Sequence, residues 1–72
     1  MTPAQCRAAR MLTGISQAQL ARIAVVSATL ITDFETGVGM PEPRDLEEIQ
    51  SALEAAGVEL IGDVGVKLRK GR

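Results

Sequence analysis

Hydroxyl residues placed directly before short amphipathic stretches divide the first half of the chain, and they constrain its fold more than any other feature. A serine or threonine before a helix accepts a hydrogen bond from the third helical N–H, and a glutamine at that third position returns one. The three hydroxyl residues are Thr2, Ser16 and Ser27. Gln5 and Gln19 complete the first two reciprocal pairs, and Pro3 suits a first helical position. The pattern predicts helices over residues 3–13, 17–23 and 28–36.

The second half of the chain changes from helical to strand-like periodicity at Gly57. Leu46, Ile49 and Leu53 recur at helical spacing and predict a fourth helix over residues 44–56. Apolar residues then nearly alternate with other residues over 58–61 and 66–69, on both sides of a glycine-bounded turn, which predicts a β-hairpin. The predicted fold class is therefore mainly α, with four to five helices followed by a C-terminal β-hairpin.

Composition narrows the chemistry available to this chain. It has 72 residues, no histidine, one cysteine (Cys6) and one aromatic residue (Phe34). This length supplies one domain at most, and histidine is both the usual neutral-pH base and the commonest metal ligand. Cys6 falls on the inner face of the first predicted helix, where we expect a small buried hydrophobic residue. We therefore predict a protein that is not an enzyme and has no catalytic residue, metal or cofactor.

The charged residues are unevenly distributed, although the formal net charge is only −1. Residues 1–35 sum to +1, residues 36–66 to −6 and residues 67–72 to +4. The last two blocks are explained equally well by a solvated acidic face and a solubilising basic tail as by a role in function. The sequence has no apolar run of about 18 residues and no secretion signal at its N-terminus, so we predict a cytoplasmic protein without a membrane span.

Residues 16–35 carry a pattern that resembles the helix-turn-helix of the Cro/phage-repressor (Xre) family. The pattern reads Ser-Gln-x-x-Leu-Ala followed by Val-Ser-x-x-x-Ile-x-x-Phe-Glu. The matching positions are Gln17, Leu20, Ala21, Val26, Ser27, Ile31, Phe34 and Glu35, together with Arg10 in the first helix. The resemblance implies a repressor-like helix-turn-helix domain over residues 1–57 and leaves residues 58–72 as a hairpin and basic tail.

The resemblance also implies a mode of action. A homodimer would bind an inverted-repeat operator in double-stranded DNA as a sequence-specific transcriptional regulator. The residues that would meet phosphates are Ser16, Gln17 and Arg22, and those that would face base edges are Ser27, Ala28, Thr29, Thr32 and Asp33. Arg10 and Glu35 would form a structural ion pair between the first and third helices.

The sequence departs from the family pattern at several positions. Val25 stands where the family usually has a left-handed glycine, so either the turn is remodelled or strain is tolerated. Small residues occupy the start of the third helix, and Leu30 occupies a position often held by serine or threonine. Thr36 and Val38 stand where basic residues are common. With Arg10 paired to Glu35, Arg22 and Arg7 are then the cations of this domain that could reach phosphates.

The C-terminal segment is the predicted dimerisation element. Its apolar residues are too many for a lone exposed hairpin, which must pack on the helices or pair with another chain. We expect strand pairing or packing across a two-fold axis, through Val58, Leu60, Ile61, Val66 and Leu68. The basic tail would follow DNA or serve solubility alone, and its residues are Lys67, Arg69, Lys70 and Arg72. The alternative function is a protein-interaction module on the same scaffold, either an antitoxin-like partner or an antagonist of another regulator.

Overall fold

The computed structural model describes residues 1–69, which form four α-helices followed by a two-stranded antiparallel hairpin. The helices are α1 (Pro3–Thr13), α2 (Gln17–Ala24), α3 (Ala28–Thr36) and α4 (Pro43–Ala55). The strands are β1 (Val58–Ile61) and β2 (Gly65–Leu68), with Leu60 opposite Val66. This arrangement confirms the predicted fold class.

Local capping chemistry sets the helix boundaries. The Thr2 hydroxyl accepts from the Gln5 N–H at 3.2 Å, and the Gln5 side chain accepts from the Thr2 N–H at 2.9 Å. Ser16 and Gln19 form the same reciprocal pair at the start of α2, with distances of 3.0 and 2.9 Å. At the start of α3 the Ser27 hydroxyl accepts from the Leu30 N–H at 3.0 Å. Such bonds satisfy the free N–H groups at a helix start, and the predicted bounds of α1 and α3 match the observed ones.

Other boundaries differ from the prediction by one residue. Helix α2 extends to Ala24. Helix α4 begins at Pro43, because proline needs no hydrogen bond at a first helical position. Strand β2 runs from Gly65 to Leu68, one residue earlier than the predicted Val66–Arg69. The Arg69 N–H still donates to the Gly57 carbonyl, which continues the pairing beyond the strand.

One hydrophobic core joins the helices to the hairpin. Its fully buried members come from every helix and from β1, and the largest are Phe34, Leu20, Ile31, Ile49, Leu53 and Val58. Leu60 and Val66 lie on the same face of the hairpin as Val58 and pack against this core. The hairpin therefore rests on α1 and α4 of its own chain, and α3 remains at the surface with one face exposed.

Candidate nucleic-acid interface

The turn between α2 and α3 contains the strained residue. Val25 has φ 60° and ψ 49°, and among the described residues it is the one non-glycine residue with a positive φ. A β-branched side chain in this left-handed region crowds its own backbone. The Val25 side chain is 86% exposed, so it gains almost no packing in return. The turn therefore keeps the left-handed geometry that the resemblance implies, and the chain tolerates the strain.

Glu35, at the last turn of α3, joins three helices through its buried carboxylate. Arg10 of α1 donates to both of its oxygens, from Nε at 2.7 Å and from Nη2 at 2.8 Å. Gln17 of α2 donates from Nε2 to Oε1 at 2.9 Å, and the Cys6 thiol donates to Oε2 at 3.1 Å. The carboxylate thus fixes α3 against both α1 and α2, and we call these four side chains the Glu35 network.

The electrostatics of the Glu35 network keep its carboxylate charged. Burial by itself raises the pKa of Glu35, but hydrogen bonds from Arg10, Gln17 and Cys6 and the charge of Arg10 outweigh it and hold the pKa below its ordinary value. The hydrogen bond to Glu35 raises the pKa of Arg10. Burial, followed by the contact with Glu35, raises the pKa of Cys6 to about 12, so the thiol stays protonated. Cys6 is an inert donor here and not a nucleophile.

Arg7 is also committed to α3. Its guanidinium donates from Nη1 to the Glu35 backbone carbonyl, one of the carbonyls at the C-terminal end of the helix. The sequence offered Arg7 as a cation that could reach phosphates, whereas the structure uses it to satisfy a helix end. Arg22 is exposed and lines a shallow groove with residues of the α1–α2 connection, including Ile15.

The N-terminus of α2 lies beside the exposed face of α3, and a hydrogen bond links the two. The Thr32 hydroxyl donates to Gln17 Oε1 at 2.9 Å, and the other end of the same Gln17 amide donates to Glu35. Ser16 and Gln17 therefore stand next to the predicted base-reading surface. The first two N–H groups of α2 have no partner within the helix, as at any helix start, and can receive an anion.

The residues predicted to face base edges share one surface of α3. Ser27, Ala28, Thr29 and Thr32 are exposed, and Asp33 is half-buried. The opposite face, with Ile31 and Phe34, is buried in the core. Leu30, whose direction the sequence left open, is half-buried against that core, while Thr36 and Val38 are exposed.

The remaining basic residues lie at the C-terminal side of the molecule. Lys67 Nζ is 3.7 Å from Glu59 Oε1 across the hairpin, and both side chains are at least half exposed. Arg69 donates from Nη2 to the Glu54 carbonyl at 2.8 Å, near the C-terminal end of α4. Lys70 and Arg72 of the predicted tail lie outside the described residues.

The hairpin uses most of its apolar residues within its own chain. Val58 is fully buried, and Leu60 and Val66 are half-buried against the helices. Ile61 and Leu68 are each 49% exposed, so they alone of the five predicted interface residues keep large free apolar surface. Helices α1 and α4 of the same chain therefore cover one face of the hairpin, and dimerisation through the hairpin stays a prediction.

Gln5 is the structural residue that the sequence analysis missed. It is only 1% exposed, and its Nε2 donates to the carbonyls of Gly62 at 2.9 Å and Gly65 at 3.0 Å in the hairpin turn. Thr2 adds a bond from its hydroxyl to the Asp63 carbonyl at 2.9 Å. In the sequence, Gln5 is recognisable only as a member of a capping pair. That pattern does not reveal its hydrogen bond to the hairpin turn, 57 residues further along the chain.

Within residues 1–69, no group of three metal-ligating side chains comes together. In the same residues, no helix combines the length and hydrophobicity that crossing a membrane requires.

Comparison with protein families identifies the class. Residues 4–60 match the model described as a helix-turn-helix domain, which covers four helices and most of β1. The chain therefore belongs to the helix-turn-helix domain family. A search of curated proteins found no match for this sequence. Family membership indicates a DNA-binding regulator, and this family is typically non-enzymatic.

Proposed function

We propose that the chain is a regulator of the Cro/phage-repressor (Xre) type that binds an inverted-repeat operator as a homodimer. The observation that carries this proposal is the exposed face of α3, held beside the N-terminus of α2 by the bond between Thr32 and Gln17. A helix that presents one polar face to solvent and buries the other can enter the major groove of B-DNA.

In this proposal α2 contacts the DNA backbone and α3 contacts the bases. Ser16 and the first N–H groups of α2 bind a phosphate, which fixes the register of the protein on the duplex. Ser27, Ala28, Thr29, Thr32 and Asp33 then lie against base edges. The Glu35 network holds the two helices at a fixed angle, so that the phosphate contact and the base contacts are made together.

The charge distribution supports modest, salt-sensitive binding. Of the three arginines in residues 1–35, Arg7 and Arg10 are engaged with Glu35, which leaves Arg22 in the helix-turn-helix. Counterion release from phosphate contacts supplies most non-specific affinity, so one arginine per subunit gives little. Two subunits double this contribution, and the basic tail (Lys67, Arg69, Lys70 and Arg72) adds to it.

The direct test is a titration of the purified protein against duplex DNA from immediately upstream of its own gene, at several salt concentrations. We expect two chains to bind each duplex at low salt. The affinity should fall steeply as the salt concentration rises. The matched control is the same duplex with one half of the inverted repeat scrambled, which should lower affinity strongly. Absence of binding at low salt to any upstream duplex would refute the proposal.

Dimerisation through the hairpin is a separate part of the proposal. Each strand has a single neighbour within the described residues, so each keeps an outer edge free for a second chain, and Ile61 and Leu68 add exposed apolar surface beside these edges.

Removing residues 58–72 is not a clean test, because Val58 belongs to the core. We instead expect Ile61→Lys with Leu68→Lys to halve the mass measured by light scattering, whereas Met11→Lys, at a more exposed apolar site on α1, leaves it unchanged. A double variant that stays dimeric contradicts this assignment.

The second candidate function is a protein-interaction module on the same scaffold. A shallow groove beside α3 favours it, because Asp33, Glu42 and Asp45 line the groove without any basic residue. An antitoxin-like partner or an antagonised regulator would have to present basic side chains there. The double variant Glu42→Lys and Asp45→Lys separates the two functions. If α3 docks on DNA, the added positive charge should strengthen DNA binding. If the chain is instead a protein-interaction module whose groove binds a basic partner, the variant, like the wild type, should not bind DNA.

A further inference from the structure

The exposed face of α3 offers methyl groups but almost no hydrogen-bond donors. From Ala28 to Thr36 the helix has no arginine, lysine, asparagine or glutamine. Those are the side chains that read guanine or adenine through paired hydrogen bonds in the major groove. The exposed residues that remain on this surface carry a methyl group at Ala28, Thr29, Thr32 and Thr36.

Two of the threonines also use their only hydroxyl proton inside the protein. Thr32 Oγ1 lies 2.9 Å from Gln17 Oε1 and 3.1 Å from the Ala28 carbonyl. Thr36 Oγ1 lies 2.9 Å from the Thr32 carbonyl and 3.3 Å from the Asp33 carbonyl. A hydroxyl has one proton to donate, so neither residue has one left for a base. The methyl group is the part of each side chain that stays available.

The position of the Thr32 methyl is fixed by its neighbours. Gln17 accepts from the Thr32 hydroxyl and donates to the buried carboxylate of Glu35, so a chain of hydrogen bonds anchors the side chain to the core. A side chain locked in this way loses little conformational entropy on binding. Ala28 and Thr32 lie one helical turn apart, about 6 Å along the axis, which is close to two base-pair steps.

We propose that α3 recognises thymine, through contacts between the methyl groups of Ala28, Thr29 and Thr32 and the 5-methyl groups of thymines in the major groove. Each half-site then contains thymines at neighbouring positions under the start of α3. Asp33, the sole charged group on the predicted base-facing surface, accepts hydrogen bonds and repels the acceptor edge of guanine. This inference rests on the proposed function, because it assigns the bases that the same surface reads.

The first test uses DNA selected by the full-length protein from a random duplex library. Each thymine in the selected half-site is then replaced by uracil, which removes the 5-methyl group and preserves base pairing. We expect thymines to be enriched, and one contacted thymine replaced by uracil to weaken binding about fourfold, the value for one buried methyl group. Replacement in both half-sites should multiply the two effects.

The outcomes of this test separate the claim that the protein binds DNA from the claim that α3 reads thymine. If no sequence is enriched, the proposed function fails and the readout fails with it. If sequences are enriched but uracil binds as tightly as thymine, the protein binds DNA and only the thymine readout is overturned. A selected half-site that consists of guanine–cytosine pairs overturns it as well.

The second test changes the protein with a matched pair of substitutions. Thr32→Ser keeps the hydroxyl and removes the methyl group, so the preference for thymine over uracil at the contacted position should disappear. Thr32→Val keeps a methyl group and removes the hydroxyl, so this preference should persist even if overall affinity falls. Thr13→Ser in α1, where the hydroxyl also bonds to its own helix, is the control and should keep the full preference. The inference is wrong if Thr32→Ser retains the preference while its thermal melt matches that of the wild type.

Discussion

Two buried polar side chains, Glu35 and Gln5, attach helix α1 to opposite parts of the molecule. Glu35 joins α1 to α2 and α3, and its side chain is charged. Gln5 joins α1 to the hairpin turn, and its side chain is neutral. Both are almost completely buried, at 3% and 1% exposure, and neither lacks a hydrogen-bond partner.

The difference in charge decides what each attachment contributes. A buried carboxylate is tolerable only while its cation and donors remain in place, because an uncompensated charge in the core is strongly unfavourable. A buried amide that is lost removes two hydrogen bonds to the carbonyls of Gly62 and Gly65, which is a smaller penalty. The helix-turn-helix side is therefore held by an attachment that is costly to break, and the hairpin side by one that is milder.

Removal of the Arg10 side chain should have the largest effect. Arg10→Ala leaves the Glu35 carboxylate without its cation, and we expect the free energy of unfolding to fall by about 2–4 kcal/mol. Urea denaturation followed by circular dichroism measures this change. The control is Lys67→Ala, which breaks the exposed pair with Glu59 and should change stability by less than about 1 kcal/mol. Equal effects of the two variants would remove the distinction between buried and exposed pairs.

Acidification should weaken the same attachment without mutation. The pKa of Glu35 is lower in the folded protein than in the unfolded chain, so the unfolded state binds a proton more readily. The stabilisation is complete above the unfolded pKa of about 4.3 and is lost as pH falls through the lower folded value. We expect urea midpoints to decrease below that pH, and to decrease less in Glu35→Gln. A Glu35→Gln variant with the full acid sensitivity of the wild type would assign this sensitivity to other groups.

Substitution of Gln5 should have an intermediate effect. Gln5→Ala removes the donor to the Gly62 and Gly65 carbonyls and one half of the capping pair, and we expect a loss of about 1–3 kcal/mol. Gln19→Ala is a closely matched control, because Gln19 has the same capping role at α2 but is exposed, and its loss should be about 0.5 kcal/mol. The loss in Gln5→Ala should not depend on pH between 3 and 7. If Gln19→Ala is as damaging as Gln5→Ala, the attachment to the hairpin contributes nothing beyond the cap.

Relief of strain at Val25 should give the smallest effect, and one of opposite sign. The hairpin and the connection before it place glycines at their positive φ values, at Gly57 and Gly62, whereas the helix-turn-helix uses valine. Val25→Gly should raise the free energy of unfolding by about 1 kcal/mol, because the exposed side chain loses no packing. Val64→Gly, at a similarly exposed valine without a positive φ, should give no gain. Thermal melts of the two variants distinguish relieved strain from a general effect of glycine.

The sequence predicted those parts of the fold that depend on local chemistry. The hydroxyl and glutamine pairs set the starts of α1 and α2, and the alternation after Gly57 located the hairpin. These signals act over three or four residues and therefore survive in the folded chain. The resemblance to the Cro/phage-repressor family, and not local chemistry, identified Val25 as the unusual residue of the turn.

The sequence could not show which distant surfaces meet. Gln5 and Gln19 have the same capping pattern, yet only Gln5 is buried, because the hairpin folds back onto α1. The alternation in the hairpin identified an apolar face but not the surface that covers it, and the helices of the same chain cover Val58, Leu60 and Val66. Arg7 was offered as a free cation because nothing near it in sequence reveals the carbonyl of Glu35.

The burial of Val58 in the core shared by all four helices has an evolutionary consequence. A recombination that exchanges the segment after Gly57 between related genes would replace part of the core together with the hairpin. Such exchanges succeed most readily where few contacts cross the junction, and here Val58, Leu60 and Val66 cross it. The hairpin therefore cannot be inherited as an interchangeable cassette.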